Sequence, residues 1–220
     1  MVKWGVILGV MLITTVAQAG VAINGTRVIL SEGEEQSTLS LKNNDDKSYL
    51  IQAWLAPAKG NTPVPFAISP EISRLDTQQN KHLKIYKGEA ALPEDRESLF
   101  IINIKMLPAL EKEMKNYLVV ATQQVMKLIY RPKALTQPNF NQFSHLITVK
   151  KGQYGAELIN LSPYVLSLSG LKINKKPLEG FHTIHPYDAL SLPETVSGQV
   201  SFRLIDDYGS KSRLYVMPLR

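Results

Sequence analysis

One run of residues, 118–130, constrains the fold more than any other part of the chain. Its thirteen residues contain no glycine, no proline and no acid, and at roughly 3.3 Å per residue an extended run of this length would span about 43 Å. Typical strands are about half as long. A strand that is longer than its neighbours in the sheet leaves part of its backbone edge unpaired, and an unpaired apolar edge can pair with other chains. The run therefore predicts a β protein with one long strand that offers an edge to another chain.

Shorter alternating segments on both sides of that run predict an all-β protein. Turn-forming residues separate them, and no stretch has the apolar periodicity of an amphipathic helix. Short strands at this spacing are typical of a β-sandwich. The predicted strands before the run are 21–23, 27–30, 38–42, 49–54, 82–86 and 99–106. Those after it are 146–149, 156–160, 165–168, 190–192, 200–205 and 213–216.

A change of composition after Pro132 divides these strands into two groups. The following segment, 133–140, lacks alternation; Pro132 precedes it and Pro138 lies within it. We therefore predict a domain at 20–133, a linker at 134–142 and a second domain at 143–220.

The first nineteen residues have the layout of a secretory signal peptide. Lys3 precedes an apolar run at 6–16, and Ala17-Gln18-Ala19 precedes Gly20. The run of eleven residues is shorter than the roughly 20 that a membrane-spanning helix needs. We expect cleavage after Ala19, export from the cytoplasm and no membrane insertion after cleavage.

Composition narrows the classes of partner. The chain contains no cysteine, so in an oxidising compartment it would be stabilised by its core and not by disulfides. Its formal net charge of +6 is spread along the sequence, without the block of like charges expected of a nucleic-acid-binding arm. A basic surface of this kind favours acidic or carboxylate-bearing partners, and we expect no nucleic acid among them.

Sequence signals for catalysis are absent. There is no G-x-S-x-G motif, no phosphate-binding P-loop motif and no cysteine nucleophile. His182 and His185 are closely spaced, but a metal site would need a third ligand such as Asp188. We expect no enzymatic activity, no metal site and no cofactor.

Four motifs together resemble a known family. Arg27 lies in GTRVIL, and DRESLF at 95–100 is followed by Asn103, Lys105 and Pro108. KLIYRP at 127–132 and DDYG at 206–209 complete the set. In this order and at these separations, they resemble the periplasmic chaperones of the chaperone–usher pilus pathway in Gram-negative bacteria. The resemblance implies two immunoglobulin-like β-sandwich domains at an angle, with a subunit-binding cleft between them.

The resemblance also implies roles for particular residues. Arg27 and Lys127 match the pair that binds the C-terminal carboxylate of a pilus subunit, chemistry that suits a guanidinium and an ammonium. Glu97, Arg131 and Asp207 match an ion network between the domains. The short charged loop at 108–117 resembles that of the class that assembles thick, rod-like pili.

Alternate side chains of the long strand would be donated to the subunit, whose incomplete fold lacks a strand. They are Leu118, Val120, Thr122 and Gln124. Relatives usually carry a third large apolar residue where this chain has Thr122, so we expect weaker groove filling or a smaller, more polar groove in the subunit. Lys127 has the opposite parity to Leu118, which predicts a bulge or twist between them and leaves open which face of residues 123–126 meets the subunit.

The resemblance predicts a non-enzymatic periplasmic chaperone that stabilises pilus or fimbrial subunits and delivers them to an outer-membrane usher. It leaves open whether the free protein caps itself as a dimer. Two alternatives remain at this point: a secreted immunoglobulin-like pilus subunit or adhesin, and a secreted β-sandwich hydrolase. The first is disfavoured by the absence of cysteine and of an exchangeable N-terminal arm, and the second by the absence of a nucleophile.

Overall fold

The computed structural model describes residues 20–109, 118–152, 155–193 and 198–219. The signal peptide predicted at 1–19 lies outside the described residues, and so does most of the loop predicted at 108–117. The described residues are mainly β-strands, together with a 3-10 helix at Phe140–Leu146. None of the helical structure in these ranges is long and apolar enough to cross a membrane.

The first sandwich packs two sheets around one core. Its strands are β1 (Val21–Ile23), β2 (Arg27–Ser31), β3 (Gln36–Asn43), β4 (Tyr49–Pro57), β5 (Phe66–Ser69), β6 (Ile72–Leu75), β7 (Asn80–Lys87), β8 (Ser98–Pro108) and β9 (Thr122–Arg131). One sheet has the order β1-β3-β7-β5, and the other has the order β2-β9-β8-β4-β6. Alternate apolar residues point inward because side chains alternate between the faces of a strand; on β8, Ile102 and Ile104 are fully buried.

The second sandwich has a separate core. Its strands are β10 (Ile147–Gly152), β11 (Gly155–Asn160), β12 (Leu166–Ile173), β13 (Lys176–Pro177), β14 (His182–Ile184), β15 (Ala189–Pro193), β16 (Gly198–Leu204) and β17 (Tyr215–Leu219). One sheet has the order β10-β11-β15; the other has the order β13-β12-β16-β17, with β14 also paired to β12. The prediction of an all-β protein with two β-sandwich domains is confirmed.

The 3-10 helix begins inside the segment predicted to be the linker. Its Phe140 and Phe143 are buried in the second core. The Tyr215 hydroxyl donates a hydrogen bond to the Phe140 carbonyl and accepts one from the Phe143 amide. The chain from Phe140 onward therefore packs with the second sandwich, while the limits 20–133, 134–142 and 143–220 stay predictions.

The long strand is shorter than the sequence predicts. β9 begins at Thr122 and not at Leu118; its pairing with β8 stops at Met106–Thr122, although β8 itself continues to Pro108 beside β4. Pairing between β8 and β9 is continuous from Ser98–Tyr130 to Met106–Thr122. No bulge therefore interrupts the paired part of β9, from Thr122 to Tyr130.

Candidate functional site

Arg27 and Lys127 lie side by side on the first sandwich. β2 runs parallel to β9, and Arg27 is the register partner of Lys127. Gly25, with a φ of 96°, lets the chain turn between β1 and β2, a backbone conformation that side chains disfavour. Directly opposite residues share a face of the sheet, so the two side chains form one cation pair.

Both cations reach the second sandwich. Lys127 Nζ donates to Ser167 Oγ at 2.7 Å, and Arg27 Nη1 donates to the Ile205 carbonyl at 3.2 Å. The Ile205 amide in turn donates to the Ser167 carbonyl at 2.9 Å. The cation pair therefore lies where the two sandwiches meet.

The pair has the electrostatics of an anion site. Burial, together with a smaller effect of the neighbouring Arg27, lowers the pKa of Lys127 to about 8. Burial also lowers the pKa of Arg27, although Asp207, Asp206 and Glu97 act in the opposite direction. Among the described residues, neither cation forms a salt bridge, and Arg27 Nε is buried without a hydrogen-bond partner. Two cations with neutral partners can bind a carboxylate through several charge-assisted hydrogen bonds.

Glu97, Arg131 and Asp207 form an ion triad between the domains. Arg131 Nε donates to Glu97 Oε1 at 2.7 Å, while Nη1 and Nη2 donate to the two Asp207 oxygens at 2.7 and 2.9 Å. Glu97 Oε2 accepts from the Val165 amide at 2.7 Å, and the Glu97 amide donates to the Pro163 carbonyl at 2.9 Å. Arg131 ends β9, so the triad connects the end of the long strand to the second sandwich.

The triad is almost completely shielded from water. The side chains of Arg131 and Glu97 are 8% and 1% exposed. Burial alone would lower the pKa of Arg131, but the hydrogen-bonded Asp207 and Glu97 outweigh it and raise that pKa. Burial raises the pKa of Glu97, and Arg131 and the Val165 amide offset only part of this rise. Because each carboxylate accepts from well-placed donors, the triad is a buried and geometrically specific connection.

The predicted donor residues lie at the exposed end of β9. Thr122 and Gln124 share a face with Met126, which is buried in the first core, but they extend beyond that core and are exposed. Leu118 and Val120 precede the strand and are 88% and 61% exposed. The structure thus places these four residues along one exposed segment, although only the last two lie on β9.

One backbone edge of this segment is open. β8 pairs with β9 from Thr122 to Tyr130, whereas β2 on the other side pairs only from Lys127 to Arg131. Residues 122–126 therefore have a strand neighbour on one side among the described residues. The open edge ends at the cation pair, which is where β2 begins.

Sequence reasoning missed the groups that hold the cations. No sequence pattern distinguishes the Ser167 hydroxyl and the Ile205 carbonyl, because serines and backbone carbonyls occur throughout the chain. These two become partners of the cations only because of the way the sandwiches dock. His182 lies on β14, with Nε2 3.2 Å from the Leu178 carbonyl. Across the described ranges, no group of three potential metal ligands occurs.

Comparison with known proteins identifies the family. Residues 20–136 match the family described as pili and flagellar-assembly chaperone, PapD N-terminal domain, and residues 142–215 match pili assembly chaperone PapD, C-terminal domain. The chain belongs to this family of pilus-assembly chaperones. The resemblance inferred from the four motifs is confirmed.

Individual relatives agree with this assignment. The chain is 36% identical over 217 residues to the chaperone protein FocC of Escherichia coli, covering 94% of each chain. It is similar to the solved structure of the periplasmic chaperone SfaE, with 32% identity, a TM-score of 0.76 and coverage of 90% of this chain and 99% of SfaE. It is also similar to a chain of the Salmonella enterica SafA pilin–SafB chaperone complex, with 25% identity, a TM-score of 0.79 and coverage of 93% and 99%. These relatives support the chaperone interpretation and not the alternative of a pilus subunit.

Proposed function

We propose that this protein is a periplasmic chaperone that binds pilus or fimbrial subunits, completes their fold with its own strand and delivers them to an outer-membrane usher. Family membership and the similarity to a chain of a pilin–chaperone complex support this function. The observation that carries the mechanism is the cation pair at the end of an open strand edge.

The first part of the mechanism is an anchor for a chain end. Arg27 and Lys127 bind the C-terminal carboxylate of the subunit. Their shared face and neutral partners support this role, and so does Arg27 Nε, which has no hydrogen-bond partner among the described residues. A carboxylate there would accept charge-assisted hydrogen bonds from both side chains. Fixing the last residue of the subunit also fixes the register of the strand before it.

The position of the anchor determines the direction of the bound strand. A subunit strand that ends at Lys127 and pairs with the open edge at residues 122–126 must run in the same direction as β9. It would lie end to end with β2, which is also parallel to β9. Backbone pairing would then supply affinity, and side chains in pockets would supply specificity.

Leu118, Val120, Thr122 and Gln124 fill the groove of the subunit in this mechanism. Burying a leucine or valine contributes about 1.5–3 kcal/mol, and the polar pair contributes less. The exposed positions of all four in the free protein support their availability. We expect a matching subunit to have a smaller or more polar groove opposite Thr122 and Gln124.

The ion triad sets the angle between the domains in this proposal. Its support is that Glu97 and Arg131 come from the first sandwich, whereas Asp207 and the Val165 amide come from the second. The same angle positions Ser167 and Ile205 against the cation pair.

The anchor is tested with Arg27→Ala and Lys127→Ala. Each variant should fold normally but lose the stable one-to-one complex with its subunit, because one carboxylate ligand is removed. Lys84→Ala, an exposed lysine on the other sheet, is the matched control and should co-purify like the parent. If Arg27→Ala or Lys127→Ala co-purifies with the subunit at the parent yield, the anchor is wrongly assigned.

Periplasmic location requires export. The family supports this compartment, and we propose removal of residues 1–19 as a signal peptide. Protein recovered from the periplasm should begin at Gly20, which N-terminal sequencing checks; a mature chain that retains residue 1 would contradict the proposal.

A further inference from the structure

A buried asparagine connects two loops of the second sandwich. Asn160, at the end of β11, is fully buried. Its Nδ2 donates to the Tyr164 carbonyl at 2.7 Å and to the His185 carbonyl at 2.9 Å. Its Oδ1 accepts from the amide and the hydroxyl of Ser162, and its amide donates to the Asp188 carbonyl at 2.9 Å. One side chain thus fixes the loop at 161–165 and the turn at 185–188.

The first sandwich contains the same arrangement. Asn43, at the end of β3, is also fully buried. Its Nδ2 donates to the Lys47 carbonyl at 2.7 Å and to the Asp76 carbonyl at 3.0 Å. Its Oδ1 accepts from the Asp45 amide, and its own amide donates to the Gln79 carbonyl. In both domains, therefore, the asparagine bonds to residues two and four positions later and to both ends of a distant turn.

The two distant turns have matching geometry as well. Gln78 and Tyr187 occupy the third position of their turns, and each has a φ of 57°. A left-handed conformation is uncommon for such residues, so each turn needs support from its surroundings. The asparagine bonds to the turn ends supply that support.

The two arrangements differ in what their loops contact. The Asn43 turn packs within the first domain, where Asp76 accepts from Ser48 and Arg74. The Asn160 turn faces the other domain instead: Tyr187 lies under the Arg96 guanidinium, 5.4 Å from its ring centroid, and Asp188 accepts from Lys59 at 3.3 Å.

The other loop held by Asn160 also meets the first domain. It supplies the Pro163 carbonyl and leads to the Val165 amide, and both of these bond to Glu97 of the ion triad. Two separate contacts between the domains therefore depend on loops that share one side chain.

We propose that Asn160 is a positioning residue that, together with the ion triad, sets the angle between the two domains. Exposed contacts such as Lys59–Asp188 are individually weak. They act together only if the loop that carries them has a fixed conformation, and Asn160 determines that conformation. The consequence for subunit binding rests on the proposed function, because the angle positions Ser167 and Ile205 at the cation pair. The angle itself is a property of the free protein and can be measured without a subunit.

The test compares Asn160→Asp with the matched control Asn43→Asp. Each removes the two Nδ2 donors of a fully buried asparagine and keeps an acceptor. Because the chain has no cysteine, Lys84→Cys and Lys172→Cys place one spin label on each domain. The distance distribution between the labels, measured by pulsed electron resonance, should broaden or shift in Asn160→Asp and stay as narrow as the parent's in Asn43→Asp.

A second variant covers the case in which Asn160→Asp fails to fold, as judged by circular dichroism. Lys59→Ala combined with Tyr187→Asn removes the contacts of the turn without touching the buried side chain, and asparagine tolerates the left-handed conformation. This variant should also broaden or shift the distribution. An unchanged distribution in a folded Asn160→Asp, or in the Lys59→Ala/Tyr187→Asn variant, would overturn the proposal. So would equal broadening in Asn43→Asp. If the parent protein formed no complex with a pilus subunit, the proposed function would be refuted, but the distance measurement on the free protein would still test the role of Asn160.

Discussion

Lys127 illustrates a conflict between binding and stability at the scale of one residue. Its ammonium group lies beside the Arg27 guanidinium and makes its hydrogen bond to a neutral hydroxyl. Its pKa of about 8 is below the ordinary value of 10.5, and burial is the main cause. The folded state therefore disfavours the charged form, although the charged form is the one that an anion would bind.

Replacing this residue should stabilise the free protein in a pH-dependent way. Between pH 8 and 10.5 the unfolded chain retains a proton on Lys127 that the folded chain has lost, so the stability of the parent rises with pH in that window. Lys127→Met should be more stable than the parent at pH 7, and the difference should shrink as the pH approaches 10.

Urea unfolding at pH 7, 8.5 and 10 measures this difference, with Lys84→Met as the control for loss of an exposed lysine. A stability difference that stays constant over this pH range would mean that the folded state does not disfavour the charged form of Lys127.

At the scale of the element, β9 is paired on both sides over only half of its length. Residues 127–131 lie between β2 and β8, whereas residues 122–126 pair with β8 alone among the strands that the structure describes. An amide on an unpaired edge exchanges its hydrogen readily, because it needs no opening of the fold to meet water.

Hydrogen exchange should therefore change on subunit binding in one part of β9. Amides on the open edge at 122–126 should exchange quickly in the free protein and become protected in the complex, since the subunit strand pairs with them. Those at 128–131 should be protected in both states and serve as the internal control. Unchanged exchange at 122–126 in a purified complex would contradict strand pairing at this edge.

The sequence predicts this strand well at one end and poorly at the other. An apolar run without glycine, proline or acid identifies β9 from Thr122 onward, but the same criteria continue to Leu118. Where a strand stops depends on its pairing with a neighbour, here on the end of the β8–β9 pairing at Met106–Thr122, and a single segment contains no information about that neighbour. β5 and β6 are not among the predicted strands; Pro70 lies between them, and a proline within a run argues against a strand.

Sequence motifs identify only part of the candidate site. Arg27, Lys127, Glu97, Arg131 and Asp207 could be selected because they lie in recognisable motifs. Ser167, Ile205 and Asn160 could not, because their importance comes from how two sandwiches dock. Sequence patterns indicate strands and cores. The docking of the two sandwiches depends instead on loops whose conformations are set by contacts with other loops.

At the scale of the whole molecule, the ion triad should be essential to how the domains dock. Arg131→Met would leave Glu97 buried without its counter-charge. Breaking a buried pair in this way costs about 3–5 kcal/mol, so the variant should be clearly less stable than the parent at pH 7.

The loss of stability in Arg131→Met should be smaller in mild acid. Burial raises the pKa of Glu97, and Arg131 offsets part of that rise. Without Arg131 the folded state prefers the protonated carboxyl more strongly than in the parent, so stability falls more steeply as the pH rises through the folded pKa. Thermal unfolding of Arg131→Met should therefore occur at a higher temperature at pH 5 than at pH 7, relative to the parent.

Two further variants serve as controls. Adding Glu97→Gln should recover part of the stability at pH 7. Arg74→Met, which breaks an exposed pair with Asp76, should reduce stability far less than Arg131→Met. Equal losses in Arg131→Met and Arg74→Met would show that the triad is an ordinary surface contact.

A crystal structure of the one-to-one complex with a pilus subunit tests the central claim most directly. We predict that the terminal carboxylate of the subunit lies within hydrogen-bonding distance of Arg27 and Lys127, and that the preceding strand runs parallel to β9 along residues 122–126. A subunit terminus bound elsewhere, with the open edge of β9 still unpaired, would contradict the account.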